Sequence, residues 1–318
     1  MKDRFGRNIN YMRISITDQC NLHCRYCMPK DAVRERTSEF LTYEEIGKVV
    51  EACVRLGITH YRITGGEPLV RKDCEKLIQM LHETKGVESV DLTTNGVLLA
   101  EKTDQLKQAG IGTLNVSLDT LDAQEFTELT GEDRLKKVLD GIALAKKAEI
   151  PVKINTVNRE ELNWKPILKY ASENHLTVRF IEIMPIGYGK DYTGRSNQVL
   201  LEEIQKKYGT AVIQKEENGN GPAVYYRFER YPEKIGFISA INHKFCDSCN
   251  RLRLTADGYL KLCLCHDKGI GLKNVIRDTT QMQKLERIIE ASVYEKPLGH
   301  NFTDDAVSER RKMFQIGG

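Results

Sequence analysis

Six short runs rich in β-branched and aromatic residues, at 11–17, 60–64, 90–94, 113–118, 152–157 and 178–183, alternate with helical stretches along the first part of the chain. A strand followed by an amphipathic helix, repeated in this way, calls for parallel strands joined by crossover helices. Periodicity leaves two arrangements open, an open doubly wound sheet or a sheet curved into a partial barrel. Helices are expected near 42–57, 74–84, 102–109, 135–148 and 164–174, the first opened by the capping box Thr42-Tyr43-Glu44-Glu45. Five motifs fall at the C-terminal ends of expected strands, where α/β folds gather their ligands: Cys20 to Cys27, Gly65 to Pro68, Asn95-Gly96, Ser117-Leu118-Asp119 and Met184-Pro185.

After Pro185 the pattern changes to a turn-rich stretch at 217–222, short strands near 225–228 and 236–239, a second group of cysteines, and a final fifty residues of helical character. Two domains are expected, 1–190 and 191–318, consistent with the tendency of single cores to stop growing at roughly 250–300 residues. With 40% apolar and 29% charged residues the chain reads as globular. A formal charge of only +3, spread along the chain, argues against nucleic acid as the main partner while allowing a local basic pocket. No stretch approaches 18 consecutive apolar residues and the first residues lack a secretory apolar core, so no membrane is expected and the location is read as cytoplasmic.

Nine cysteines in a reducing compartment point to metal binding or catalysis rather than disulfides. Cys53 and Cys74 stand alone in helical patterns and read as ordinary small apolar or partly exposed residues. Cys20-x3-Cys24-x2-Cys27 places three thiols on one loop, enough for three corners of a cubane iron–sulfur cluster with one iron left open. A zinc site or three buried thiols are the competing readings, although for zinc no fourth cysteine is near and His23 would have to be recruited.

With Tyr26 before its last cysteine, this triad resembles that of the radical S-adenosylmethionine enzymes. The resemblance implies a [4Fe–4S] cluster on Cys20, Cys24 and Cys27, and S-adenosylmethionine chelated to the open iron and cleaved by one electron to a 5′-deoxyadenosyl radical. It also implies the fold: α/β, a partial (βα)6 TIM-like barrel of the radical SAM type with a C-terminal iron–sulfur auxiliary domain. Gly65-Gly66-Glu67-Pro68 is similar to the family's methionine-binding element, where glycine suits a close backbone approach. Tyr26, Gly66, Ser117 and Met184 are the S-adenosylmethionine contacts that the resemblance implies.

Cys246-x2-Cys249 and Cys263-x-Cys265, with the turn Asp257-Gly258 between them, read from spacing alone as either a zinc ribbon or an iron–sulfur site. The same stretch, with Asn250-Arg251-Leu252-Arg253 after the second cysteine, resembles the GTP 3′,8-cyclases of molybdenum cofactor biosynthesis. That resemblance runs over nearly the whole chain, from Arg13-Ile14-Ser15 to Met313-Phe314-Gln315-Ile316-Gly317-Gly318. It implies a second [4Fe–4S] cluster on Cys246, Cys249 and Cys263, and GTP contacts from Arg13, Arg62, Thr93, Lys153, Arg251 and Arg253. Five of these six are cations, a sensible match for a triphosphate.

No residue is expected to act as a classical acid, base or nucleophile. Arg251, Arg253, Gly317 and Gly318 are the catalytic candidates, the diglycine being implied to reach the active-site region. Cys265 stands where the family usually has an aromatic residue, and on a strand it would face the same way as Cys263, so spacing permits it as a ligand. The implied reaction converts GTP to (8S)-3′,8-cyclo-7,8-dihydro-GTP, the first step of molybdenum cofactor biosynthesis. A low-potential electron donor of flavodoxin or ferredoxin type and a downstream cyclic pyranopterin monophosphate synthase are the implied partners, and a homodimer is among the allowed assemblies. The alternatives are a radical peptide maturase with an auxiliary cluster and an iron–sulfur or zinc protein that senses redox state. Neither accounts for the paired arginines.

Overall fold

The computed structural model describes residues 1–32, 39–214, 220–278, 282–300 and 309–317. The six expected strands form, as β1 (Tyr11–Ser15), β2 (His60–Thr64), β3 (Ser89–Thr94), β4 (Leu114–Ser117), β5 (Val152–Asn158) and β6 (Thr177–Glu182). They lie side by side in chain order, every neighbouring pair parallel. Because the order never reverses, right-handed crossovers put all the connecting helices on one face. That settles the choice between the two arrangements in favour of the partial barrel.

The alternation within the strands shows the two faces. Met12, Ile14, Tyr61, Ile63, Val90, Leu92, Leu114, Val116, Ile154, Val178 and Phe180 are buried in the main core under the helices. The residues between them, including Arg13, Arg62, Asp91, Thr93, Asn115, Lys153 and Arg179, line the opposite, concave face. Apolar burial under the helices holds the scaffold, at about 1.5–3 kcal/mol per fully buried aliphatic side chain. The inner face is thereby left to polar residues.

The helices begin with α1 (Tyr43–Arg55), where Thr42 and Glu45 form the expected capping box and Ile46, Val49, Val50 and Cys53 are buried at helical spacing. Then come α2 (Cys74–Glu83), α3 (Leu99–Gln108), α4 (Ala123–Thr130), α5 (Leu135–Lys147), α6 (Trp164–Glu173) and α7 (Asn197–Tyr208). Cys53 and Cys74 are fully buried, as expected of apolar fillers.

The rest of the chain completes both sheet edges. After β7 (Ala211–Gln214) and β8 (Val224–Phe228), β9 (Tyr231–Ile238) pairs parallel with β6. β9 begins several residues before the expected 236–239. At the other edge β10 (Arg251–Leu254) pairs parallel with β1 and turns back through Asp257-Gly258 into β11 (Tyr259–Lys261), which pairs with β12 (Gly269–Gly271). One 12-stranded sheet therefore runs through the expected domain boundary at 190. Short helices α8 (Lys273–Arg277), α9 (Leu285–Tyr294) and α10 (Met313–Ile316) supply the helical character of the tail region. Among the described residues no helix is long and apolar enough to cross a membrane.

Candidate functional site

The parallel register aligns the inner-face residues in rows. Arg253 of β10, Arg13 of β1, Arg62 of β2 and Asp91 of β3 form one row, and Thr93, Asn115 and Lys153 form another. A third joins Ser117, Asn155 and Arg179. All of them border a single cavity of about 350 Å3, which Cys20, Cys24, Tyr26, Cys27, Gly66, Met184 and Arg251 line as well. Asn220, Gly221 and Pro222, from the turn-rich stretch, also border it.

At the C-terminal ends of the strands the cysteine loop rests on α4, where the His23 and Arg25 amides donate to the Thr130 and Leu129 carbonyls at 2.7 and 3.0 Å. Cys27 N–H and Met28 N–H both donate to the Cys24 carbonyl at 2.9 Å, so the backbone itself sets the loop. Asn95 Nδ2 donates to Cys20 Sγ at 3.7 Å and to Asn21 Oδ1 at 2.8 Å. Glu67 accepts from Asn95 N–H (2.6 Å), Leu69 N–H (3.0 Å) and the Thr94 hydroxyl (2.8 Å), tying the loops after β2 and β3 together. Burial nonetheless lifts its carboxyl to about 7.

Gly66 N–H donates to the Thr17 carbonyl at 2.7 Å and Glu67 N–H to the Gln19 carbonyl at 2.8 Å. A Cβ on Gly66 would lie 2.5 Å from Gln19 O and 2.7 Å from Asp18 O, so only glycine fits this strand-like apposition. The Tyr26 hydroxyl donates to Asp119 Oδ2 at 2.5 Å, and Asp119 Oδ1 accepts from Val157 N–H at 2.8 Å.

The donor set of the first loop suits a cluster. Burial, with help from Glu67, pushes the Cys20 thiol up to about 11, and burial with Cys20 pushes Cys27 up to about 12. Burial and the neighbouring Cys27 and Cys20 also hold Cys24 well above its ordinary value. Three thiols near enough to oppose one another's ionisation become thiolates only beside positive charge, which irons provide. Among the described residues no three His, Cys, Asp or Glu side chains are set to hold a single metal ion. A cubane makes a different demand, since each thiolate meets its own iron.

The second cysteine group lies at the opposite end of the sheet, because Cys249 precedes the start of β10 and Cys263 follows the end of the antiparallel β11. Burial raises the Cys246 thiol. Burial acts the same way on Cys249, but the nearby Lys296 and Arg251 cations outweigh it and leave that thiol below its ordinary value. Cys265 donates its S–H to Cys263, which lowers Cys263 and raises Cys265. Cys265 is buried in a small apolar cluster with Ile186 and Ile316.

Between the two cysteine groups runs a surplus of positive charge. Among the described residues Arg13, Arg62, Lys153, Arg179, Arg251 and Arg253 line the cavity together with three carboxylates, Asp91, Asp119 and Glu182. Asp91 pairs with one of these cations, Arg62, at 2.7 Å and accepts from Thr113 N–H, Asp119 accepts from Tyr26 and Val157, and Glu182 accepts from the amides of Asn197, Ile241 and Asn242. Burial and then Arg253 hold Arg13 well below its ordinary value, burial and Arg251 lower Arg253 to about 10, and burial and Arg179 lower Lys153 to about 8. Arg62 differs, being locked by Tyr11 Oη (2.6 Å), Leu92 O (3.2 Å) and Asp91. Thr64 Oγ1, Thr93 Oγ1, Asn115 Oδ1 and Arg179 Nη2 are buried with no hydrogen-bond partner among the described residues. Crowded cations and orphaned polar atoms on one wall are the complement of a polyanion.

The tail also reaches this wall. Arg253 Nη1 donates to the carbonyls of Ile316 (3.1 Å) and Gly317, and Gly317, at φ +74°, is pressed so closely on Thr64 and Ser15 that no Cβ could be added. Gly318 lies outside the described residues. Sequence reasoning missed Arg179 and Asn115 as parts of the cavity wall, and it placed Asp119 at a strand end where ligands gather without giving it a role. Strand parity could have found the first two, each a polar residue at an inner-face position of an otherwise apolar strand.

Residues 14–173 match the Radical SAM superfamily and residues 176–302 match Molybdenum Cofactor Synthesis C. A GTP 3′,8-cyclase of Clostridium perfringens (strain 13 / Type A) is 43% identical over 323 residues, covering 100% of both chains. One of Desulforamulus reducens is 42% identical over 327 residues, again covering 100% of both. Among solved structures, Streptococcus suis SuiB superposes with a TM-score of 0.62 at 17% identity, covering 88% of this chain and 68% of that one. The structure titled native anSMEcpe with bound AdoMet does so at 0.55 and 15% identity, covering 92% and 82%. At these identities the two structures share the fold.

Proposed function

Since the chain belongs to the GTP 3′,8-cyclases of the radical SAM superfamily, we propose that its inner-face cations bind the triphosphate of GTP between two iron–sulfur clusters. The enzyme is a GTP 3′,8-cyclase that carries out the first step of molybdenum cofactor biosynthesis, with S-adenosylmethionine and an iron–sulfur cluster as cofactors. The observation that carries the proposal is the cation surplus on the wall between the two cysteine groups.

Cys20, Cys24 and Cys27 hold the first cluster, and Cys246, Cys249 and Cys263 hold a second. When bound, the first cluster and S-adenosylmethionine supply one-electron radical chemistry. Gly66 offers its backbone to the methionine end, with Tyr26, Ser117 and Met184 around the rest of that cofactor. Arg13, Lys153, Arg251 and Arg253 clamp the triphosphate, joined by Arg179, while Arg62 backs them through Asp91 and Tyr11. Thr93 and Asn115 offer their orphaned oxygens to the nucleoside. Holding the nucleotide in one pose is the protein's main contribution, since orientation alone can be worth about 7–11 kcal/mol. Gly317, latched by Arg253 against Thr64, closes the wall, and Cys265 packs rather than ligates.

Residues 1–190 form the radical-generating barrel and most of the nucleotide wall, and residues 191–318 add the second cluster's cysteines with Arg251 and Arg253. A flavodoxin or ferredoxin type of donor supplies electrons, and a cyclic pyranopterin monophosphate synthase takes the product. The deciding experiment is anaerobic reconstitution: about eight irons per chain, and cleavage of S-adenosylmethionine that depends on GTP. About four irons, or cleavage indifferent to GTP, would overturn the assignment.

Two further results are expected. Gly66→Ala forces its methyl onto the Gln19 and Asp18 carbonyls, at a cost of about 1–3 kcal/mol. S-adenosylmethionine binding should therefore weaken roughly ten- to a hundred-fold in calorimetric titration. The second concerns pH. With its ammonium lowered to about 8 by burial and Arg179, Lys153 is charged below that value and neutral above it. GTP affinity should accordingly hold at pH 7 and fall as pH rises through 8, and Lys153→Arg should flatten the profile. An identical fall in the Arg variant would remove Lys153 from the clamp.

A further inference from the structure

Four of the buried cations outside the nucleotide clamp have a carboxylate partner: Arg7 with Asp3 (2.6 Å), Arg62 with Asp91 (2.7 Å), Arg159 with Glu125 (2.9 Å), and Lys261 with Glu309. Lys296 is the exception. Its side chain is buried, with the residue 2% exposed, and its ammonium donates to two neutral acceptors, the Arg251 carbonyl at 2.9 Å and the Leu262 carbonyl. No carboxylate pairs with it among the described residues. An ammonium withdrawn from water without a counter-ion is costly and is not retained without compensation.

Its position supplies the compensation. Arg251 lies two residues after Cys249, and Leu262 immediately precedes Cys263. One ammonium therefore staples the two strand ends that carry two of the three ligands. The third is held from the same side: Arg7 donates to the Cys246 carbonyl at 2.9 Å and to the carbonyls of Pro297 and Leu298 at 2.6 and 2.7 Å, directly after Lys296. Arg7 is already neutralised by Asp3. Lys296 brings a net charge to the place where three thiolates converge.

We propose that Lys296 is a positioning residue that provides the buried counter-charge of the cluster on Cys246, Cys249 and Cys263, fixing the ligand strands and raising the cluster's reduction potential. The inference rests on the assignment of a second cluster to those cysteines. A cubane held by three thiolates is net negative, and more so after it gains an electron, so a fixed cation beside it favours the reduced form. Arg251 and Arg253 are also nearby, but they belong to the nucleotide clamp and their charge is shared with the substrate, and Lys244, beside Cys246, is exposed to solvent. Lys296 does not line the cavity and keeps its charge for the cluster.

The test is an anaerobic redox titration of reconstituted full-length protein, with dithionite as the electron source and electron paramagnetic resonance as the readout. The signal of the second cluster is identified by its loss in Cys249→Ala. Lys296→Arg keeps charge and donors, Lys296→Gln keeps donors without charge, and Lys296→Met keeps neither. The proposal expects a wild-type-like potential in the Arg variant. It expects a more negative potential, or loss of the second cluster's iron alone, in both Gln and Met. The first cluster is the internal control for folding. A Gln variant that titrates like wild type would reduce Lys296 to a hydrogen-bond donor and overturn the proposal, as would loss of both clusters in all three variants. Wild-type protein with about four irons would instead overturn the second cluster itself.

Discussion

Cys24→Ala protein is expected to fold, to retain about half of the iron, and to cleave no S-adenosylmethionine above background, a loss of at least ~10^4-fold. The expectation separates scaffold from chemistry at one residue. Cys24 contributes its carbonyl to the Cys27 and Met28 amides, and alanine keeps that carbonyl. The loop is further held by Asn95 and by the end of α4, neither of which needs the Cys24 thiol. Two thiols do not hold a cubane in the face of the burial that opposes their ionisation. The readouts are iron content, circular dichroism and 5′-deoxyadenosine formation. Wild-type cleavage by this variant would remove the triad from the mechanism.

Arg253→Met is expected to lower kcat/KM for GTP by roughly 10^2–10^4, the equivalent of about 3–5 kcal/mol from two lost charge-assisted hydrogen bonds. The same substitution should leave the ligand-free protein at least as stable as wild type. Burial first, and then Arg251, lower the Arg253 guanidinium to about 10, so its charge is disfavoured in the folded state and its removal relieves that cost at pH 7. Activity falling while the melting temperature holds or rises is the signature of a group kept for its ligand. Arg253→Lys restores charge without the planar fork and should recover only part of the loss. A parallel fall in both activity and melting temperature would instead make the latch on Ile316 and Gly317 its main role.

Local features of the fold were legible wherever the chain states its own solution. Thr42 and Glu45 announced a helix start, and the alternating inner and outer residues of β1 to β6 announced strands. Helix α4 went unread although Asp122 accepts from Glu125 N–H as a proper cap, because Asp122 and Ala123 also read as a loop after Ser117-Leu118-Asp119. Helix α7, capped by Ser196, was hidden in the same way behind the change of pattern after Pro185.

What could not be read was long-range. Nothing local in Arg251-Leu252-Arg253-Leu254 says that it pairs parallel with Tyr11-Met12-Arg13-Ile14, yet that register sets Arg253 beside Arg13. The site followed the same division. Its motif residues were legible by type and spacing, and strand parity would place Arg179 and Asn115 on the inner face, whereas Lys296 acquires its meaning only from what the fold puts next to it.

The pairing of β1 with β10 joins positions 240 residues apart, as in the contact of Asn10 with Asn250. A ribosome adding about 5–20 residues per second takes roughly 10–50 s to deliver the second strand after the first. For that interval the nascent β1 presents an unpaired edge, open to wrong partners. The last part of the chain to be made is also the part that shields the first, so truncated translation products should aggregate rather than accumulate as half-built enzyme.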